Sequence, residues 1–185
     1  MRVISGLKRG HKLKAPKGLE VRPTEDKIKE SLFNILGYID KDSLVLDLFG
    51  GSGSIGIEFL SRGARACYFV DISSNSISYI KDNLSHTDLN EFATVIKSDA
   101  IKAIKQLSSS DLKFDYIYLD PPFRHNELLL KVISSLKDYP ILKTDGLIII
   151  EHESELILED KMFVFKKIDE RRYGAKTISF FKKLS

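Results

Sequence analysis

An apolar run, VLDLF, leads into GGSGSIGIE at residues 45–58. There Gly51, Gly53 and Gly56 have the spacing G-x-G-x-x-G, and Asp71 follows about twenty residues later, the pattern of a tight turn that brings backbone close to a nucleotide-derived ligand. A dinucleotide and S-adenosylmethionine both suit such a turn. Asp47 separates them, because it stands near the end of the apolar run, four residues before Gly51. A pyrophosphate in the turn would face this carboxylate, and like charges about 4 Å apart repel by roughly 4 kcal/mol at an effective dielectric of 20. The ammonium and sulfonium of S-adenosylmethionine would be attracted instead. Asp71 closes Y-F-V-D and could accept hydrogen bonds from ribose hydroxyls with either ligand; Asp99, in IKSDA, could accept from an adenine amino group. Each also precedes a helical run, so a helix N-cap is the competing role for both. Gly56 fits close packing of helix on strand and no ligand contact.

A second constellation is FDYIYLDPPF, residues 114–123. Pro121 and Pro122 stop a strand and remove two backbone donors, leaving carbonyls and the Asp120 carboxylate as a group of acceptors. Such a group suits an exocyclic amine. If Asp120 and the Pro121 carbonyl each accept one N–H, the nitrogen lone pair is drawn out of the ring and toward an incoming methyl group. Phe123 would stack on the base, a contact worth about 1–3 kcal/mol, and Asp120 could take the released proton. The competing role is a strand-ending turn whose aspartate caps the next helix.

These residues need rigid elements to hold them. Apolar, β-rich runs at 44–48, 66–70, 93–97, 115–119, 147–151, 163–168 and 177–181 alternate with helical patterns near 53–61, 75–84, 100–107, 126–136 and, more weakly, 154–160. That alternation predicts an α/β sheet with crossover helices. The polar link 169–174 is too short for a crossover, so the last two strands should form an antiparallel hairpin. Ahead of the sheet, Thr24–Leu36 reads as a helix with Glu25 and Asp26 in its first turn, an apolar stripe of Ile28, Leu32, Ile35 and Leu36, and Gly37 as its stop. RVIS and HKLKA flank Gly6 and Gly10 as the two sides of a basic hairpin.

The 185 residues, 43% hydrophobic and 30% charged, describe one ordinary globular domain and neither a disordered nor a membrane chain. No run approaches a membrane span or a signal peptide. The single cysteine, Cys67, excludes an internal disulfide and suggests a reducing, cytoplasmic setting. His11, His86, His125 and His152 lack metal-ligand spacing, so no metal is assigned. The net charge of +3 is uneven: residues 1–29 carry nine basic and three acidic groups, so the remainder is net acidic. A basic arm on an acidic body fits a polyanionic partner, with a merely solvated terminus as the alternative.

D-P-P-F resembles the [DN]-P-P-[YFW] motif of amino-group methyltransferases, and DLFGGSGSIGIE resembles their cofactor loop. LEVRPTEDKIKESLFNIL resembles the R-P-T-x-D helix of the RsmD family, bacterial 16S rRNA guanine-N2 methyltransferases acting on guanine 966. RVISGLKRGHKLKAP is similar to that family's N-terminal hairpin and RRYGAKTISFF to its last loop and strand. The likeness covers nearly the whole chain.

The resemblance implies a Rossmann-like class I methyltransferase fold: a seven-stranded, mostly parallel sheet with the last strand antiparallel, helices on both faces, a basic hairpin over 1–22 and a catalytic fold over 23–185. It implies S-adenosylmethionine bound by Thr24, Asp47, Phe49, Gly50, Gly51, Gly53, Asp71, Asp99 and Ala100, with Thr24 near the methionyl carboxylate or serving as a helix cap. It implies a catalytic group of Asp120, Pro121, Pro122 and Phe123. Arg2, Lys8, Arg9, Lys12, Lys14 and Arg22 would hold phosphates of 16S rRNA, within the small subunit or an assembly intermediate, while guanine is flipped into the pocket. Arg171, Arg172 and Tyr173 could border it or belong to a simple solvated loop. The same pocket chemistry would serve adenine N6 or cytosine N4 in DNA or RNA. A dinucleotide oxidoreductase and a noncatalytic RNA-binding protein are the readings from other classes.

Overall fold

The computed structural model describes residues 1–15, 23–122 and 126–184, with Pro23 and Thr24 traced as helix backbone. It comprises two compact units, Met1–Ser98 and Asp99–Ser185.

In the first unit, β1 (Leu44–Asp47), β2 (Ala66–Asp71) and β3 (Ala93–Lys97) lie parallel in the order β3-β2-β1. Leu44 pairs with Ala66 and Cys67 with Ala93. All four residues of β1 are buried, as expected of a parallel strand covered on both faces. The crossovers are α2 (Ser54–Ser61) and α3 (Ser74–His86). Gly56 sets how closely α2 lies on β2: a Cβ there would come within 2.2 Å of Phe69 Cε1 and 2.6 Å of Cys67 Sγ. Its role is packing, as the sequence indicates.

The helix α1 (Pro23–Leu36) precedes the sheet. Its stripe differs from the expected one: Ile28, Leu32 and Phe33 are buried, whereas Ile35 is 39% exposed. The reason is aromatic packing. Phe33 meets Phe59 of α2 edge-on at 4.7 Å and lies 4.5 Å beneath the Arg62 guanidinium, so the ring takes the interface and Ile35 turns outward.

The N-terminal hairpin forms, with Arg2 bridged to Lys12 and backbone hydrogen bonds from Val3 to His11 and from Leu13 to Met1. It is docked on the unit. The Ile4 and Ser5 amides donate to the Glu58 carboxylate at 2.8 and 3.0 Å, Leu7 N–H donates to the Ser61 carbonyl at 2.7 Å, and the Lys14 amide donates to Asn83 at 2.8 Å. Glu58 is fully buried and also pairs with Lys29 at 3.4 Å and Arg62 at 2.9 Å. Burial pushes the Lys29 ammonium below its usual range, with Glu58 opposing that shift.

The second unit contains α4 (Ala100–Ser108), β4 (Phe114–Leu119), α5 (Asn126–Asp138), β5 (Leu142–Glu153), β6 (Lys161–Met162), β7 (Phe165–Tyr173) and β8 (Lys176–Lys183). Its strands run β4-β5-β8-β7-β6, with β4 and β5 parallel and the others antiparallel. This is the α/β class expected, ending in the expected hairpin. Among the described residues the chain has eight strands instead of seven, the addition being the two-residue β6.

The weak helix at 154–160 is absent. Ser154 N–H is captured by the Ala175 carbonyl at 2.8 Å, Leu156 N–H turns back to Glu153, and Lys167 Nζ donates to the Leu158 carbonyl. Partners outside the segment replace those a helix would supply. β7 also extends through the polar stretch 169–172, because a bulge between Lys167 and Asp169 keeps it on the ladder as far as the Gly174–Ala175 turn. Among the described residues no helix is long and apolar enough to cross a membrane.

Candidate functional site

The first group of site residues lies at the carboxyl ends of β1 and β2. Asp47 ends β1 at 2% exposure. Its Oδ2 accepts a long hydrogen bond, 3.4 Å, from Gly56 N–H, while its Oδ1 is buried with no hydrogen-bond partner among the described residues. Burial pushes its pKa up to about 7; the nearby Asp71 adds to the rise, and the Gly56 and Phe49 amides oppose it. A buried, half-satisfied carboxylate is costly unless a donor or cation completes it.

The chain then turns through Gly51 and Gly53, both at positive φ (55° and 79°), which side chains disfavour. Gly50 N–H donates to the Val70 carbonyl at 2.9 Å and Gly53 N–H to the Gly50 carbonyl at 2.6 Å. Gly53 caps α2 without a side chain, so the positive end of that helix opens onto the turn. Asp71 is tied to the same turn, accepting from Gly51 N–H at 2.9 Å and from Ser73 N–H at 2.8 Å. The cap of α3 is Ser73, which removes that competing role from Asp71. Asp99 does cap its helix: its Oδ1 accepts from Ile101 and Lys102 amides at 3.0 and 3.2 Å, with Ala100 buried behind it.

A buried carboxylate oxygen lacking a partner among the described residues, beside backbone turned by glycine, fits the cationic methionyl end of S-adenosylmethionine better than a pyrophosphate. The backbone of Thr24 lies in the first turn of α1; Arg22 and Phe123 fall outside the described residues.

The second group closes β4. Asp120 is exposed and Pro121 half-buried, and both border a cavity with Pro122, Asn126, Leu129, Glu151, His152 and Lys176. Glu151, 6% exposed, receives the Tyr118 hydroxyl at 2.5 Å and an ion pair from Lys176. Behind it His152 donates from Nδ1 to the Glu153 carbonyl, and its Nε2 lies 2.9 Å from Ser179 Oγ. Ser179 in turn donates to Glu170, which Lys167 also holds. Burial lowers the His152 pKa, and its hydrogen bond to Glu153 and neighbouring carboxylates oppose that. Lys167 above all holds the Glu170 carboxyl below its usual range.

Glu151, Lys176 and Tyr118 escaped the sequence reading. Glu151 carried a usable signal, since like Asp47, Asp71 and Asp120 it closes an apolar run. Lys176 carried none, because only the antiparallel β5–β8 register, Glu153 beside Lys176, brings it there. Arg171 instead pairs with Asp169 at 3.0 Å and Arg172 donates to the Gly174 carbonyl.

In the hairpin, Arg2 pairs with Asp26 and Lys8 with Asp88, each at 3.7 Å, and Lys14 with Asp82 at 3.0 Å. Arg9 and Lys12 are exposed and make no ion pair among the described residues.

Known proteins resemble this chain over most of its length. YlbH of Bacillus subtilis is 39% identical over 183 residues, 99% of either chain. Ribosomal RNA small subunit methyltransferase D of Haemophilus influenzae is 38% identical over 156 residues, 84% of this chain and 80% of that one. The solved structure of yhhF from Escherichia coli superposes with a TM-score of 0.85 at 28% identity, covering 100% of this chain and 98% of the other. The family model described as conserved hypothetical protein 95 matches residues 1–182. With likeness extending from the hairpin to the last strand, the chain belongs to that family, the RsmD family.

Proposed function

We propose that this protein transfers a methyl group from S-adenosylmethionine to the exocyclic N2 amine of a guanine in small-subunit rRNA. The observation that carries the reading is the buried Asp47 oxygen, left without a partner beside a glycine turn. That oxygen suits the methionyl ammonium, Gly51 and Gly53 let the backbone approach, and Asp71 suits ribose. Thr24, Phe49, Gly50, Asp99 and Ala100 complete the proposed cofactor site. The name of the H. influenzae relative supports rRNA of the small subunit as substrate.

When bound, S-adenosylmethionine supplies an electrophilic methyl carbon on sulfonium, leaving as a neutral thioether. Asp120 and the Pro121 carbonyl accept the two N–H groups of the target amine, which turns the nitrogen lone pair out of conjugation. As the N–C bond forms the nitrogen sheds one proton, and Asp120 is placed to receive it. Pro122 keeps that backbone free of a competing donor, and Phe123 is assigned to stacking on the base. Arg2, Lys8, Arg9, Lys12, Lys14 and Arg22 hold RNA phosphates.

Incubation with labelled methyl donor and unmodified small-subunit rRNA, followed by nucleoside mass spectrometry, is expected to yield N2-methylguanosine. Label in N6-methyladenosine or N4-methylcytosine would replace the guanine assignment, and no label in RNA would overturn the reaction. Asp120→Ala should lower kcat by about 10²–10⁴-fold while cofactor affinity stays nearly unchanged by calorimetry; retained turnover would remove Asp120 from its role.

A further inference from the structure

We propose that Glu151, held by Tyr118 and Lys176, is the group that selects guanine over adenine and cytosine. The inference rests on the amino-methylation reading above. In the parallel register Leu119 lies beside Ile150, so Asp120 and Glu151 follow one residue further along adjacent strands, and both border the same cavity. The Watson–Crick edge of guanine presents its N2 amine, then the N1–H donor, then the O6 acceptor. Cytosine and adenine present an amine followed by a ring-nitrogen acceptor. A second carboxylate next to Asp120 therefore meets a donor in guanine and a lone pair in the other two bases.

The Glu151 side chain can fill this role. Of about four acceptor positions on its two oxygens, the described contacts occupy two, with the Tyr118 hydroxyl on Oε2 and Lys176 Nζ on Oε1. These partners hold its orientation, and burial at 6% exposure removes competing water. Lys176, on the next strand and bordering the same cavity, supplies the donor that O6 requires. The cavity edge thus reads acceptor, acceptor, donor against the donor, donor, acceptor sequence of guanine. A site built to hydrogen-bond a substrate rejects an analogue lacking those groups, because its own buried polar atoms are left unpaired.

The experiment compares rRNA carrying guanine at the methylated position with rRNA carrying 2-aminopurine there, which keeps the amine but has neither N1–H nor O6. The wild-type protein should favour guanine in kcat/KM by about 100-fold. Near parity, within about threefold, overturns the assignment without any variant. Glu151→Gln should reduce that ratio to below about fivefold, because its amide can donate to the 2-aminopurine ring nitrogen, whereas a purely structural role would lower both substrates together and leave the ratio intact. Should Glu151→Gln fail to fold by circular dichroism, Tyr118→Phe keeps the charge but loosens its orientation. A ratio unchanged in that variant overturns the assignment. If wild-type protein forms no N2-methylguanosine on natural rRNA, the underlying reaction falls, and this assignment with it.

Discussion

Asp47 shows how a single buried carboxylate couples stability to pH and, in the proposed site, to ligand binding. Its pKa of about 7 lies above the ordinary 3.8, so between those values the folded chain holds a proton that the unfolded chain releases. The associated stability is fully present below about pH 4 and is lost as pH rises through 7. Asp47→Asn removes this dependence. We expect the ligand-free variant to melt higher than wild type at pH 8, by the equivalent of a few kcal/mol, with the gap narrowing as pH falls through 7 and closing by about pH 4. Calorimetry should show the opposite for S-adenosylmethionine, which binds the variant about 10–100-fold more weakly. The wild-type affinity should rise from pH 6 to 8 as the carboxylate ionises. A variant that binds the cofactor as wild type does would remove Asp47 from the site.

At the level of elements, the N-terminal hairpin is a docked structure. Glu58 accepts two of its amides while also neutralising Lys29 and Arg62, so a buried charge in α2 ties α1 and the hairpin to one point. Gly6 completes the fit. Its φ is +81°, and a Cβ there would lie 1.9 Å from the Ser61 carbonyl oxygen. Gly6→Ala cannot be absorbed by rotating a side chain. It should cost about 2–4 kcal/mol in urea unfolding and speed amide exchange at Val3, Leu7 and Leu13, whose donors reach His11, Ser61 and Met1. Exchange confined to its wild-type rate would mean that the contact with α2 is dispensable.

For the whole molecule, charge distribution bears on how the proposed RNA partner would be met. The excess in residues 1–29 is large, yet three of the hairpin cations are partly neutralised by Asp26, Asp82 and Asp88. Arg9 and Lys12, exposed and without ion pairs among the described residues, should then carry more of the phosphate contact. Replacing both with Ala is expected to weaken rRNA binding roughly tenfold at low salt and reduce the salt-dependence slope by about 1.5–2. Lys14→Ala should have a smaller effect. Equal slopes for the double variant and wild type would place the RNA surface elsewhere.

The α/β class, the parallel crossovers, the terminal hairpin and the positions of Asp47, Asp71, Asp99 and Asp120 at run ends were legible in the sequence. They follow from local rules: hydrophobic periodicity, glycine and proline stereochemistry, and charge at the ends of buried runs. Other features depend on which segments become neighbours. Phe33 displaces Ile35 from the buried stripe only because Phe59 and Arg62 stand opposite, and 154–160 is not helical because Ala175 and Lys167 take its polar groups. Lys176 joins Glu151 through strand register alone, and Glu58 becomes an anchor only once the hairpin folds over α2. Sequence determined where single acidic groups and turns would stand, since those are set by nearest neighbours along the chain. Tertiary structure decided which groups are paired, buried or left with an open acceptor, because those properties belong to contacts between residues far apart in sequence.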